Sequence, residues 1–279
     1  MDVDIAHLQG WIGREQTESE VLTPTLVRQF NATFDRRSGT APGEVAPLLI
    51  HLCLTQPIAP MSGLGRDGHP ALGGFLPPVP LPRRMWAGGA FAFRGSLRIG
   101  DEVTRQSTIT DVQLKQGRSG TLCFVTVSHE ISANGHPVLS ERQDIVYRDI
   151  PAGGQARAAP PAAPVGQHSR SLTPHPTLLF RYSALTFNGH RIHYDKPFCI
   201  ETEGYPGLVV HGPMQATMLC QYAADLKGAP PARFRFRSLS PLFDDADFSL
   251  NASPEGGGLK LWTARPGGPV AMEAEADWD

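Results

Sequence analysis

The stretch that decides how this chain folds runs from Phe180 to Thr217 and reads FRYSALTFNGHRIHYDKPFCIETEGYPGLVVHGPMQAT. It begins with polar side chains of the types that transfer protons, and it ends in a Gly-rich, apolar segment that predicts the start of a helix. Five polar side chains lie within eight residues: Asn188, His190, Arg191, His193 and Asp195. An imidazole exchanges protons near neutral pH, and backbone amides at a helix start stabilise a developing negative charge. The stretch therefore predicts a site for acid–base chemistry.

Two motifs in this stretch resemble the fingerprint of the R-specific enoyl-CoA hydratases, which belong to the MaoC-like hot-dog family. Residues 188–193, NGHRIH, are similar to that family's Asp-x-Asn-Pro-(Leu/Ile/Val)-His. Residues 207–212, GLVVHG, are similar to its Gly-x-(Ile/Val)-(Val/Ala)-His-Gly. The longer wording TFNGHRIHYD, followed by EGYPGLVVHGP, resembles a narrower branch. That branch holds the fungal-type mitochondrial 3-hydroxyacyl-thioester dehydratases and the bacterial mesaconyl-CoA and itaconyl-CoA hydratases.

The resemblance implies an α+β double hot-dog fold, in which two antiparallel sheets each wrap a central helix. It also implies a hydro-lyase that acts on an acyl-CoA without a cofactor or a metal ion. His193 matches the family's catalytic histidine and would act as base and acid. Asn188 occupies the position of the family's aspartate and would hold water through its amide. Backbone N–H groups near Gly207, Val210 and Gly212 would face the thioester oxygen.

Further side chains of the stretch are candidates for contacts with the substrate. Arg191 or Arg181 could pair with the free carboxylate of a dicarboxylic acyl group, because burying that anion alone is costly. Arg191 could equally bind the adenosine phosphates of CoA or cap the sheet. Asp195 could replace the missing aspartate, orient a neighbouring side chain or be solvated. His190 is expected to contact substrate, and His211 is expected to pack or hydrogen-bond at the helix start.

The segment MSGLGRDGHPALGGFLPPVPLPRR, residues 61–84, is rich in Pro and Gly and ends in two arginines. Arg83 and Arg84 are therefore additional candidates for the contact with a carboxylate. The segment lacks the Gly-x-x-x-x-Gly-Lys pattern of nucleotide phosphate loops, so we expect it to be a mobile cover over the site.

Composition excludes several classes of protein. A net charge of −2 and a pI near 6.5 leave no basic field for nucleic acid. The chain has four cysteines, widely spaced and without a Cys-x-x-Cys pair, so neither a zinc cage nor a disulfide framework is indicated. No apolar run approaches the ~20 residues of a membrane span, and the N-terminus lacks the basic start and apolar core of a secretory signal. We expect a cytoplasmic protein, for which a second copy of the chain is a candidate partner.

The segment PAGGQARAAPPAAPVGQ, residues 151–167, divides the chain. It has almost no large apolar side chain and predicts a linker. The expected organisation is an N-terminal half at 1–150, a linker at 151–170 and a C-terminal catalytic half at 171–279. Each half is predicted to have the same order of elements, with a helix at 43–54 or 209–226 followed by four strands. The predicted strands lie near 88–97, 102–112, 119–132 and 137–150, and near 233–240, 245–252, 258–264 and 269–278.

A weak internal similarity supports duplication of one half. Residues 26–35, LVRQFNATFD, resemble residues 182–195, because both contain Phe-Asn after an apolar turn. In this comparison residues 32–35 stand where residues 190–193 stand in the second copy. The N-terminal half then lacks the histidine, and we expect it to help build the acyl pocket.

The sequence therefore predicts an acyl-CoA hydratase that acts on itaconyl-CoA or mesaconyl-CoA and forms citramalyl-CoA. One alternative is a 3-hydroxyacyl-thioester dehydratase for linear chains carried by CoA or acyl carrier protein. A thioesterase would need an acidic group on the central helix, and residues 210–225 offer only Asp225 at the far end. The alternative from another class is a non-catalytic module that binds acyl-CoA.

Overall fold

The fold was analysed in a computed structural model, which describes residues 3–117, 120–149 and 160–279. Its helices are α1 Ile5–Gln9, α2 Pro24–Thr33, α3 Pro176–Leu185 and α4 Gly212–Lys227. Its strands are β1 Glu15–Val21, β2 Arg83–Phe93, β3 Glu102–Gly117, β4 Gly120–Ala133, β5 His136–Arg148, β6 His168–Leu172, β7 Arg233–Ser238, β8 Phe248–Glu255, β9 Gly258–Ala264 and β10 Val270–Asp277. Residues 151–159 of the predicted linker lie outside the described residues, and β6 begins within its last three positions.

The described strands form one antiparallel sheet in the order β1-β3-β4-β5-β2-β7-β10-β9-β8-β6. Each half contributes five strands in an equivalent order, because β6, β8, β9, β10 and β7 repeat β1, β3, β4, β5 and β2. The halves meet where β2 pairs with β7, from Gly88 opposite Arg237 to Ala92 opposite Arg233. This is the double hot-dog fold that was predicted, with its two sheets joined edge to edge into one.

Helix α4 is the central helix of the C-terminal half, and its contacts are with β7, β8, β9 and β10. Its side chains are buried on nearly every side, as predicted for a helix wrapped by a sheet. The buried amides are satisfied, since Gln215 accepts a hydrogen bond from Thr263 and Gln221 donates to the carbonyl of Leu48 at 3.0 Å. The last contact crosses to the N-terminal half. Both halves therefore contribute to one hydrophobic cluster, and a second cluster lies within the N-terminal half. None of the described helices is long and apolar enough to cross a membrane.

The N-terminal half has no counterpart of α4 in the predicted region. The helix expected at 43–54 is wrong, because only a short 3-10 turn forms there, at Ile50–Cys53. Pro47 lacks the N–H that a helix interior needs, and Leu49 has a left-handed backbone with φ of 64°. Both features prevent a continuous helix. Residues from this region instead pack against α4 in the shared core.

Helices α2 and α3 are the equivalent first helices of the two halves. Each begins at a proline, Pro24 or Pro176, after an N-cap side chain that accepts a backbone hydrogen bond. Each ends in a turn with positive φ, at Asp35 (50°) and Phe187 (48°). The equivalence predicted from Phe-Asn is therefore wrong by several residues, since that comparison placed Phe187 opposite a residue inside α2.

Candidate active site

His193 is held in a defined tautomer by the chain that leads into α4. It ends a 3-10 turn, and its Nδ1 lies 2.7 Å from the carbonyl oxygen of Val209. A carbonyl can only accept, so Nδ1 carries the proton and Nε2 keeps a free lone pair. Burial lowers the pKa of His193 to about 4, although the Val209 carbonyl acts in the opposite direction. The imidazole is therefore a neutral proton acceptor at pH 7.

His211 stacks on His193, with ring centroids 3.6 Å apart and planes 16° from parallel. Its Nε2 lies 2.8 Å from the hydroxyl of Ser183 on α3, and burial keeps its pKa well below the usual range. His211 thus packs and hydrogen-bonds at the helix start, as the sequence analysis expected. It fixes the plane of the His193 ring against α3.

Asn188 shapes the turn that carries the histidines. Its Oδ1 accepts a hydrogen bond from the backbone N–H of His190 at 3.0 Å, and its own N–H donates to the carbonyl of Ser183. The Oδ1 atom is therefore already engaged, and the side-chain N–H₂ is the part that can hold a water molecule. The ring of His190 stands edge-on to that of His193, with centroids 5.4 Å apart.

The helix start offers fewer oxyanion donors than the sequence predicted. The N–H of Val210 donates to the carbonyl of Leu242 at 2.8 Å, so it is not free for a thioester oxygen. Gly212 is the first residue of α4, and its N–H has no partner among the described residues. The N–H of Gly207 is likewise without a described partner, but a side chain there would collide with the carboxylate of Asp244. Gly212 is the best-placed donor.

Arg191 is committed to contacts within its own loop. Its Nε and Nη2 donate to one oxygen of Asp195 at 2.9 and 2.8 Å, and its guanidinium lies over the ring of Phe198. The hydrogen bond from Arg191 lowers the pKa of Asp195. Asp195 also accepts from the N–H of Phe198. Of the roles considered for Asp195, the geometry supports the orientation of a neighbour.

Arg181 lies away from the histidines. It is exposed on α3, two residues from the buried Ser183 and therefore on the other side of the helix. It donates to the carbonyl of Ala32 at 3.4 Å and lines a groove of about 760 Å³ between α2 and α3. The structure does not bring Arg181 together with His193.

A pair of residues that the sequence analysis did not single out, Asp67 and His69, completes the cluster. Their side chains are 2.8 Å apart (Oδ2 to Nδ1), and the rings of His69 and His190 are 4.0 Å apart. Burial opposes the ionisation of Asp67, but the hydrogen bond from His69 lowers its pKa overall. The only signal in the sequence was Asp-Gly-His-Pro inside the Pro- and Gly-rich segment.

The segment that carries this pair is docked on the catalytic turn. The carbonyl of Asp67 accepts the N–H of Arg191 at 2.9 Å, and the carbonyl of Arg66 accepts its guanidinium. Gly68 has φ of 87°, and a Cβ there would lie 1.9 Å from the carbonyl oxygen of Gly189. Only glycine fits this contact. The expected cover is thus hydrogen-bonded to the site in this structure.

Three side chains of the cluster also have the composition of a metal site. Asp67, His69 and His190 each place one ligand atom within 4.8 Å of the others. The facing atoms of Asp67 and His69 are joined by their hydrogen bond, so the closeness of these two side chains does not require a metal ion. His190 packs on His69 and its Nε2 lies 3.9 Å from Oδ2 of Asp67, so only the Asp67–His69 pair of the three is hydrogen-bonded, and we assign no metal to them.

Comparisons with known proteins identify the family. The model of the hydroxyacyl-thioester dehydratase type 2 family matches residues 49–244, which include the whole histidine cluster. The chain belongs to this family. It is 44% identical over 276 residues to a mesaconyl-C(4)-CoA hydratase of Chloroflexus aurantiacus, and 98% of each chain is covered. It is therefore a hydro-lyase, as predicted.

A second relative and a solved structure extend the comparison. The chain is 29% identical over 238 residues to the mitochondrial hydroxyacyl-thioester dehydratase type 2 of Schizosaccharomyces pombe, covering 74% of this chain and 76% of the relative. Its fold matches the crystal structure of a MaoC-like dehydratase from Phytophthora capsici with a TM-score of 0.71, 15% identity and 99% of each chain covered. The likeness to that structure shows the fold alone.

Proposed function

We propose that this hydro-lyase adds water to an unsaturated dicarboxylic acyl-CoA, of the kind represented by mesaconyl-CoA and itaconyl-CoA, and forms citramalyl-CoA. The observation that carries this proposal is the similarity to a mesaconyl-C(4)-CoA hydratase, which extends over 98% of both chains. The site geometry supports it, because a neutral imidazole and a free N–H at a helix start are the groups that addition of water to an enoyl thioester needs.

In the proposed reaction on mesaconyl-C(4)-CoA, whose double bond is conjugated with the thioester, His193 takes a proton from water on its Nε2. The water oxygen forms a bond to the β-carbon, and the electrons of the double bond move onto the thioester oxygen as an enolate. The enolate then re-forms the carbonyl as the α-carbon takes the proton back from His193. The imidazole ends neutral, so one molecule of water has been added and the site is restored. The Val209 carbonyl keeps the ring in the same tautomer throughout.

Two further groups support these steps. The N–H of Gly212 would donate to the enolate oxygen, where the positive end of the α4 dipole adds to the stabilisation. The N–H₂ group of Asn188 would hold the attacking water, since its Oδ1 is engaged by the backbone of His190. Neither step requires a carboxylate at position 188. This accounts for an asparagine where related hydratases have an aspartate.

A second candidate function is the dehydration of linear 3-hydroxyacyl thioesters carried by CoA or acyl carrier protein. The family description and the similarity to the Schizosaccharomyces pombe dehydratase favour it. The two functions use the same proton-transfer steps in opposite directions. They differ in whether a second carboxylate is recognised.

Steady-state rates with a small panel of thioesters test the proposal. Mesaconyl-C(4)-CoA and crotonyl-CoA are a matched pair, because both carry a methyl group on the β-carbon and only the first also carries a carboxylate. We expect kcat/KM to be at least about thirtyfold higher for the dicarboxylic ester. Itaconyl-CoA in the same panel distinguishes the two dicarboxylic substrates. The His193→Ala variant, purified identically, excludes a contaminating hydratase.

Equal or greater kcat/KM with crotonyl-CoA, or with longer linear esters, would contradict the dicarboxylate proposal and favour the dehydratase. Absence of turnover with every ester would contradict both.

A further inference from the structure

Two of the arginines considered for the substrate carboxylate, Arg191 and Arg83, already have carboxylate partners. Arg191 is paired with Asp195. Arg83 is paired with Glu203, with 3.2 Å between Nε and Oε2. Arg84 makes no ion pair with any carboxylate in the described part of the chain. Arg84 is therefore a guanidinium without a counter-ion among the described residues.

Arg84 lies on the face of β2 that approaches the catalytic helix. Side chains two residues apart on a strand share a face, so Arg84 and Trp86 point the same way. The Trp86 ring lies 3.7 Å from the point where a Cβ on Gly212 would be. The indole Nε1 of Trp86 is buried without a described partner. This face of β2 thus offers two donor groups beside the helix start.

The charge of Arg84 also acts on the histidine cluster. Burial lowers the pKa of His69, and the charge of Arg84 lowers it further, while the hydrogen bond to Asp67 acts in the opposite direction. For His190, burial is again the main cause of a lowered pKa, and Arg84 is among the charges that contribute. The guanidinium therefore contributes to the electrostatic environment of both rings.

The neighbours of Arg84 do not neutralise it. Its partner across the strand is Tyr147, a phenol whose pKa burial raises although the charge of Arg84 and a hydrogen bond with it act in the opposite direction; the phenol is uncharged at pH 7 and so does not neutralise the guanidinium. The carboxylate of Asp67 is hydrogen-bonded to His69. A partly buried cation without a counter-ion is unfavourable, and an anionic ligand removes that penalty.

We propose that Arg84, from the N-terminal half, binds the free carboxylate of the substrate and so determines its selectivity for dicarboxylic acyl groups. The assignment rests on the proposed function and replaces Arg191 and Arg181 as the carboxylate partner. A planar guanidinium can hold a carboxylate by two parallel hydrogen bonds, which gives orientation as well as affinity. In mesaconyl-C(4)-CoA the carboxylate is on the β-carbon, so this contact would also place the atom that water attacks.

The test compares Arg84→Gln and Arg84→Lys with the wild type on mesaconyl-C(4)-CoA and crotonyl-CoA. Arg84→Gln should lower kcat/KM for mesaconyl-C(4)-CoA by at least about thirtyfold and change that for crotonyl-CoA by less than about threefold. Arg84→Lys keeps the charge but not the two-pronged geometry, so its kcat/KM for mesaconyl-C(4)-CoA should lie between those of the wild type and Arg84→Gln. Arg181→Gln is the matched control, because it removes an exposed guanidinium and should leave kcat/KM unchanged for both substrates.

Binding of unreactive analogues gives a second measurement that is independent of turnover. Succinyl-CoA has the carboxylate at the same distance from the thioester as mesaconyl-C(4)-CoA, and butyryl-CoA has a methyl group there instead. Arg84→Gln should raise the inhibition constant of succinyl-CoA and leave that of butyryl-CoA unchanged. Thermal melting of each variant establishes that it is folded.

Three outcomes would overturn the assignment. If Arg84→Gln keeps the wild-type ratio of kcat/KM values, another group binds the carboxylate. If the folded variant lowers kcat/KM equally for both substrates, Arg84 acts on the thioester or the histidines. If the wild type does not prefer the dicarboxylic ester at all, the proposed function fails, and the assignment fails with it.

Discussion

The turns after α2 and α3 have the same backbone and different uses. In both, a residue with left-handed φ is followed by one whose N–H donates back into the helix, from Arg36 to Asn31 at 2.9 Å and from Asn188 to Ser183 at 2.8 Å. In the N-terminal half Arg36 forms a two-pronged ion pair with Asp225 at the end of α4. In the C-terminal half Asn188 begins the histidine loop. One position is structural, and its counterpart is proposed to serve the site.

The buried histidines of the two halves show the same division. His51 in the N-terminal half lies 3.2 Å from the carboxylate of Glu141, and both side chains are almost fully buried. Burial opposes ionisation of Glu141, yet the hydrogen bond from His51 and the charges of His129 and Arg105 lower its pKa overall. His193 instead faces a neutral carbonyl and keeps one nitrogen free. A histidine inside a charge network stabilises the fold, whereas one with a free lone pair can take part in chemistry.

The largest effect on activity is expected at His193. His193→Ala should lower kcat/KM by a factor of about 10²–10⁴, the usual contribution of a general acid–base group. The corresponding change in the other half, His51→Ala, should reduce stability while the folded fraction keeps its turnover number. Similar turnover losses from both changes would remove the distinction between the halves.

The pH dependence of the wild type sharpens this prediction. The pKa of His193 is lowered to about 4, so the imidazole stays neutral down to well below pH 6. kcat/KM should therefore hold as pH falls through 6 and decline only as it approaches 4. Stability should also fall with acid, because the unfolded histidine takes a proton near its ordinary pKa of about 6.5 and the folded one does not. An acid limb near 6.5 in the kinetics would contradict the assignment of His193.

The largest effect on stability is expected at Glu141. Glu141→Gln removes a buried negative charge, so Arg105 stays buried without the opposite charge of Glu141. This should lower the free energy of unfolding by about 3–5 kcal/mol. Because the pKa of Glu141 is lowered by folding, the stabilisation is present above its unfolded pKa and is lost as pH falls through the folded value. Urea titration at pH 7 and at acid pH measures the free energy of unfolding and its dependence on pH. The destabilisation should be smaller at the acid pH; an equal loss at both would contradict the charge network.

Much of the site could be predicted from sequence because its parts are close along the chain. His193 and the start of α4 are separated by fewer than twenty residues, and their spacing was readable directly. The docking of Asp67 and His69 could not be read in this way, since they lie in the other half and meet His190 only through the fold. Composition alone described their segment as a cover.

Two predictions about the fold failed for local reasons. The helix expected at 43–54 was inferred from its apolar residues, but Pro47 interrupts it. The internal repeat was aligned on Phe-Asn, a short coincidence. A better signal was present, because α2 and α3 both begin Pro-Thr-Leu, at residues 24–26 and 176–178. A proline at a helix start has a defined structural role, and two residues in a turn do not.

The smallest of the expected effects is at Asn188. Asn188→Ala removes both the bond to the N–H of His190 and the amide that is proposed to hold water, and should lower kcat about tenfold to a hundredfold. Asn188→Asp keeps the acceptor for His190 and should retain more activity, with an altered pH profile. Full activity in the alanine variant would mean that this turn position is structural, like Arg36 in the other half.

The division of labour between the halves is tested most directly by one set of rate measurements, kcat/KM for mesaconyl-C(4)-CoA and crotonyl-CoA with the wild type, His193→Ala and Arg84→Gln. Loss of the C-terminal histidine should lower kcat/KM for both substrates by a similar factor, because both need the same proton transfer. Loss of the N-terminal arginine should lower kcat/KM only for the dicarboxylic substrate. Two results would contradict this account. One is turnover by His193→Ala within a few-fold of the wild type, and the other is a change of kcat/KM in the same proportion for the two substrates in both variants. Either would show that chemistry and recognition are not divided between the halves.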